Sequence, residues 1–182
     1  MDWGTLVATV CGGSLAVSGT VLADHLRRRH ENDRGAGERR RAVYIEFITA
    51  AEAGHARLRQ IAQSPVADAD LGAATRAALS DAAIYEARER LFIDASTAVA
   101  GAGQALFEQL RALQRAVATG AEPASRAFHD AYHPYIGTVW AYRVAVRHEL
   151  EGQSLSPTAF GWDRWDGRDR CPLCRQATDS GT

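Results

Sequence analysis

From Trp3 to Ala23 the chain carries no ionisable side chain except the thiol of Cys11, and Asp2 and Asp24 close the run at either end. A helix of about 20 residues, rising about 1.5 Å per residue, covers the roughly 30 Å hydrocarbon core of a bilayer, so this run is long enough to span one. Soluble core helices seldom extend so far without a charge. Thr5, Thr9, Ser14, Ser18 and Thr20 dilute the apolar side chains, but hydroxyls in a helix can return to backbone carbonyls, which lowers the cost of placing them in lipid. The expectation is a membrane anchor. Met1-Asp2 brings no basic residue ahead of the run, which argues against a secretory signal peptide.

The following segment sets an orientation. Between residues 24 and 41 seven arginines face four acids, a balance of 7 − 4 = +3, and such a flank is retained on the cytoplasmic side. Arg27, Arg28 and Arg29 then meet the lipid headgroups, each contributing about 1 kcal/mol near an anionic surface. The predicted topology is a single pass in the cell membrane, N-terminus outside and C-terminus cytoplasmic, with the bilayer as first partner. Ala8, Gly12 and Ala16 recur every four residues; small side chains at that spacing let two lipid-embedded helices approach closely, which predicts a homo-oligomer through this stripe.

Composition excludes several other classes. Only 5 prolines, 16 glycines and 3 cysteines occur, with 46% apolar and 24% charged residues, which rules out a collagenous, wholly disordered or disulfide-stapled chain. All 21 basic residues are arginine and the formal net charge is −1, so no nucleic acid partner is expected.

Behind the basic flank the hydrophobic period is helical throughout, and no stretch alternates as a strand does. Tyr44, Phe47, Ile48, Ala51, His55, Leu58, Ile61 and Ala62 form one stripe between Glu38 and Gln63, and Ser64-Pro65 ends it. A second helix is predicted from a cap at Asp68 or Asp70 to about Leu91, through Leu71, Ala74, Ala78, Leu79, Ala82 and Tyr85. A third starts after the Asp94–Thr97 acceptors, carries Val99, Ala102, Leu106, Leu110, Leu113 and Val117, and stops at Gly120. A fourth runs from Ser125 to Glu151, with a kink or break expected near His133 because of Pro134. The fold class is therefore all-α: a transmembrane helix over residues 1–30 with its basic flank, a hinge at 31–37 around Gly35-Ala36-Gly37, an antiparallel bundle of about four helices over 38–151, and an irregular, flexible tail over 152–182.

The order of a small-residue anchor, an arginine run, the segment Arg40–Phe47, a leucine-rich third helix from Ala105 to Leu113 and the segment Tyr142–Leu150 resembles a class of single-pass membrane proteins from high-G+C Gram-positive bacteria. The likeness covers most of residues 3–151 and is architectural. It implies the topology above and a cytosolic helical bundle, and it brings no activity with it. The cysteine-bearing tail departs from that pattern.

Cys171-Pro172-Leu173-Cys174 is the sharpest chemical feature. Two thiolates at this spacing chelate one tetrahedral ion and supply half of a zinc site. A second subunit could complete it with its own pair, or His129 and His133, four residues apart on one helix face, could do so within the chain. A reversible thiol pair and an inert tail are the competing readings, while a thioredoxin-like site lacks its βαβ context. Glu52-Ala53-Gly54-His55 matches half of a di-iron element, but no partner motif accompanies it, even if Glu46, Glu86 and Glu108 are recruited. Phosphate loops, nucleophile elbows and His-Glu-x-x-His are absent, and Gly101-Ala102-Gly103 reads as a close helix contact. The aromatic, charge-balanced patch of Trp162, Trp165 and residues 163–170 reads as a docking surface for the bundle or a partner.

These features predict a membrane-anchored cytosolic helical interaction or scaffold module, self-associating and without catalytic residues, with an unidentified protein partner. The alternative is a metal- or redox-responsive regulator that uses the tail cysteines.

Overall fold

The computed structural model describes residues 35–63 and 70–179, with side chains as far as residue 175. The chain divides into two compact units, Met1–Arg39 and Arg40–Thr182. Of the first, only the helical residues 35–39 are described. The expected anchor, its Ala8, Gly12 and Ala16 stripe and the Arg27–Arg29 flank lie outside the described residues. Among the described residues no helix is long and apolar enough to cross a membrane.

All regular structure among the described residues is helical. Helix α1 covers residues 35–63, α2 Leu71–Asp81, α3 Ile84–Asp94, α4 Thr97–Ala118, α5 Arg126–Glu151 and α6 Pro172–Asp179, with short 3-10 turns at Pro157–Phe160 and Arg168–Arg170. The described part of the expected hinge is helical. Each glycine costs a helix about 1 kcal/mol, so Gly35 and Gly37 permit a break without enforcing one.

Within the second unit the α1 stripe is as predicted. Tyr44, Phe47, Ala51 and Leu58 are buried, and Ile48 and Ile61 pack against the same core. The α4 stripe is buried from Val99 to Val117 except for the partly buried Ala102, and α4 packs along α5. Caps lie where the sequence places them. Asp70, Ser96 and Ser125 accept from the backbone N–H three residues on, each such cap stabilising its helix by about 1 kcal/mol. Gly120 takes a left-handed φ of +85°. It donates to the Val117 carbonyl while Ala121 donates to Ala116, the double return that closes a helix on glycine.

Three expectations need correction. The second predicted helix is two helices, because Ala83 takes a left-handed φ of +54° between α2 and α3. Leu79 and Ile84 are both fully buried, yet five helical residues turn about 500°, which would leave them about 140° apart on a continuous helix. The break re-aims α3 so that Ile84, Ala87 and Leu91 face the same core as Ala78 and Leu79. The second correction concerns Pro134: α5 runs through it without a break. The ring removes one N–H, and the helix is held on both sides by buried Phe128, His133, Tyr135 and Val139.

The third concerns the tail, which carries two 3-10 turns and α6 and returns to α5. Trp165 stacks on Trp140 with ring centroids 4.4 Å apart and planes 11° from parallel. Phe160 and Trp162 close around the same ring. Asp166 lies over Gly137, where an added Cβ would come within 3.5 Å of the aspartate Cβ.

Candidate metal centre

His129 and His133 are one helical turn apart on α5, so their rings project from the same face. Ser125 caps α5 just ahead of them through the Phe128 N–H. The tail brings the other half of the set. Cys171 immediately precedes α6, Cys174 lies in its first turn, and both are thiols. The two halves meet: one ligand atom from each of His129, His133, Cys171 and Cys174 falls within 4.8 Å of the other three.

The closest approaches fit a small ion. His129 Nδ1 lies 3.4 Å from His133 Nε2 and 3.3 Å from Cys171 Sγ. A tetrahedral ion about 2.0–2.1 Å from nitrogen and about 2.3 Å from sulfur sets its ligand atoms roughly 3.3–3.8 Å apart. The far nitrogen of His133, Nδ1, lies 2.7 Å from the backbone oxygen of Asp166. This is the arrangement in which a ligating imidazole is oriented by an outer carbonyl. Cys171 and His133 are buried, and His129 and Cys174 are partly exposed.

The electrostatics distinguish the two sulfurs. Burial pushes the Cys171 thiol up, but hydrogen bonds with the Cys174 backbone, the His133 and Cys174 side chains and the Leu173 backbone outweigh it, bringing the thiol down to about 7. Burial raises the Cys174 thiol, and its hydrogen bond with Cys171 and the charge on that sulfur raise it further. One thiolate is thus available near neutrality as a ligand for a soft cation.

No protein-family model, curated protein or solved structure matches this chain. The functional reading therefore rests on the site itself.

Beside the centre, a cavity of about 260 Å³ is lined by Arg126, His129, Asp130, Arg168, Leu173 and Cys174 among others. Asp130 lies 3.6 Å from both Arg126 and Arg168, so one carboxylate ties α5 to the segment ahead of α6 at the cavity wall.

The other candidates do not assemble. Glu46 pairs with Arg90 at 2.7 Å and Glu108 accepts from Gln104. Glu52 lies 3.7 Å from His55 and 3.2 Å from Arg143. The hydrogen bond from His55 holds the Glu52 carboxyl below its usual range against the opposing effect of burial, and Arg143 adds to the lowering. His55 is the stripe residue expected, packed against the Tyr132 and Tyr135 rings. Among the described residues no carboxylate-rich metal cluster forms. Gly103 is the close helix contact, since a Cβ there would come within 2.3 Å of Leu91 Cδ2, whereas Gly101 faces open space.

Sequence reasoning missed the outer shell. The Asp166 carbonyl is a backbone group and the Gly137 seat is a shape, and neither leaves a residue-type signal.

Proposed function

We propose that this chain is a zinc-dependent helical module in which His129 Nδ1, His133 Nε2, Cys171 Sγ and Cys174 Sγ hold one ion and thereby clamp the C-terminal segment to α5. The single observation that carries this reading is the meeting of four soft or borderline donor atoms from two segments about forty residues apart, within 4.8 Å of one another. Four protein ligands close a tetrahedral site, which favours a structural over a hydrolytic role for the ion. Two thiolates with two imidazoles favour zinc over magnesium or calcium, which take oxygen ligands. Because the pair on α5 is completed from the same chain, no second subunit is needed for it.

Metal analysis of the purified reduced protein tests this. One zinc per chain is expected, with loss of that zinc in a Cys171→Ser, Cys174→Ser double variant. A metal-free chain, or zinc that survives the double substitution, overturns the proposal.

The module is further proposed to be tethered to the cytoplasmic face of a membrane, the topology that its resemblance to bacterial single-pass proteins implies, and to act there by self-association or partner docking. What supports the tether is the uncharged run Trp3–Ala23 ahead of an arginine flank. What supports docking is apolar surface on two neighbouring helices: Ile45 of α1 is 58% exposed and Ile93 of α3 is 80% exposed, beside the Glu46–Arg90 ion pair that joins those helices. Recovery of the full-length chain in a detergent-free soluble fraction, or digestion of its C-terminus by protease added outside intact cells, overturns the tether.

A further inference from the structure

The two sulfurs of the centre differ in access. Cys171 is buried, while Cys174 lies on the wall of the 260 Å³ cavity together with His129. A small polar molecule entering that cavity meets Cys174 first and finds Cys171 behind it. The sulfurs belong to one Cys-x-x-Cys turn and lie within 4.8 Å of each other. Joining them at about 2.05 Å needs side-chain rotation and a shift within one helical turn.

Resting on the zinc reading above, we propose that the centre is the target of hydrogen peroxide, which enters by the cavity, oxidises Cys174 and Cys171 to a disulfide, ejects the ion and loosens the tail from α5. The Cys174 sulfur attacks one peroxide oxygen, the O–O bond breaks, and the departing hydroxide takes a proton to leave as water. Cys174 is then a sulfenic acid. The Cys171 sulfur displaces its hydroxyl, forming the S–S bond and, with a second proton, a second water. Two thiolates have lost two electrons, one peroxide has gained them, and Zn²⁺ leaves with its charge unchanged. A disulfide sulfur is a far poorer ligand than a thiolate, so the two imidazoles alone remain and cannot hold the ion.

The attachments of the tail that remain then include the His133–Asp166 hydrogen bond, the Arg168–Asp130 pair and the packing of Trp165, Phe160 and Trp162 around Trp140. These sit on the stretch of α5 that carries His129 and His133 or just beyond it. Trp140, Trp162 and Trp165 are three of the four tryptophans of the chain, so indole fluorescence reports the loosening directly.

The experiment uses the full-length, reduced, zinc-loaded chain treated with about one equivalent of hydrogen peroxide. Released zinc is read with a chromogenic chelator, the disulfide by peptide mass mapping that separates Cys11 from the pair, and the tail by tryptophan fluorescence. Zinc release should accompany a Cys171–Cys174 disulfide and be reversed by a dithiol reductant with added zinc. Cys174→His keeps four donors and removes the second sulfur, so its release should be slower by at least about 10-fold; Cys171→His serves if that variant takes up no zinc. If the untreated chain holds no zinc, the metal centre itself fails and this inference with it. If zinc is held but no disulfide forms, if the ion stays after disulfide formation, or if the histidine variant releases it equally fast, the metal centre stands and the peroxide response is overturned.

Discussion

His133 donates from Nδ1 to the backbone carbonyl of Asp166 at 2.7 Å. Because a carbonyl only accepts, the bond fixes the proton on Nδ1 and leaves the Nε2 lone pair for the neighbouring donors. The bond also joins the tail to α5 at a candidate ligand, so the geometry of the four-residue cluster and the docking of the tail are one structural fact. Asp166 lies over Gly137, one turn further along α5, where an added Cβ would make ordinary van der Waals contact with it and a longer side chain would take its place.

Gly137→Leu therefore weakens metal binding without changing a ligand. The leucine displaces Asp166 and its carbonyl from His133, and loss of such an outer partner lowers metal affinity by about 10-fold or more. Competition against a chromogenic chelator measures this. Unchanged affinity would mean that the Asp166 carbonyl does not orient the imidazole.

Two glycines in α4 should respond with opposite signs. A Cβ at Gly103 would come within 2.3 Å of Leu91 Cδ2 and 3.4 Å of Phe47, both fully buried, so Gly103→Val overpacks the α1–α3–α4 contact and costs about 1–3 kcal/mol. Gly101 faces nothing within 4 Å, and Gly101→Ala gains about 0.8–1 kcal/mol of helix propensity. Urea midpoints of the two variants should move in opposite directions.

Much of this fold is legible in the sequence because period and punctuation agree. The stripes of α1 and α4, the caps at Asp70, Ser96 and Ser125 and the stop at Gly120 each follow from residue type and spacing. The break at Ala83 is not legible from propensity, since alanine is the best helix former; only the five-residue step from Leu79 to Ile84 signals it. The tail reads as irregular because its glycines and charges hide the stack of Trp165 on Trp140, a contact between residues distant in sequence. The four candidate ligand residues are legible one pair at a time, from i,i+4 and Cys-x-x-Cys spacing. Their meeting depends on α5 continuing through Pro134, which local rules disfavour.

Ala83 offers a direct check on that break. A left-handed alanine carries about 1 kcal/mol of strain that glycine does not, and part of this relief is offset by the greater freedom glycine gains when unfolded. Ala83→Gly should raise unfolding stability by roughly 0.5 kcal/mol, and a clear loss of stability would mean that α2 and α3 form one continuous helix in solution.

The buried tyrosines make the bundle sensitive to alkali. Burial raises the Tyr44 phenol, and its hydrogen bond to Glu149 at 2.7 Å raises it further, to about 12. Burial also lifts Tyr135, with Glu52 adding, and lifts Tyr142, with Tyr44 and Glu149 adding. Each of these phenols holds its proton more tightly folded than unfolded, so the stability they lend is fully present below the ordinary value of 10.0 and declines as the pH rises from there through the folded values. The chain has no lysine, so proton release in this window comes almost wholly from phenols and thiols and is simple to follow. Tyrosinate absorbance and helical circular dichroism, titrated together, should show these three of the five tyrosines ionising only as the helices melt above pH 10, and Glu149→Gln should move the Tyr44 share of that step to lower pH. Tyrosines that all titrate near 10 with the helices intact would show that the α1–α5 core is open to water.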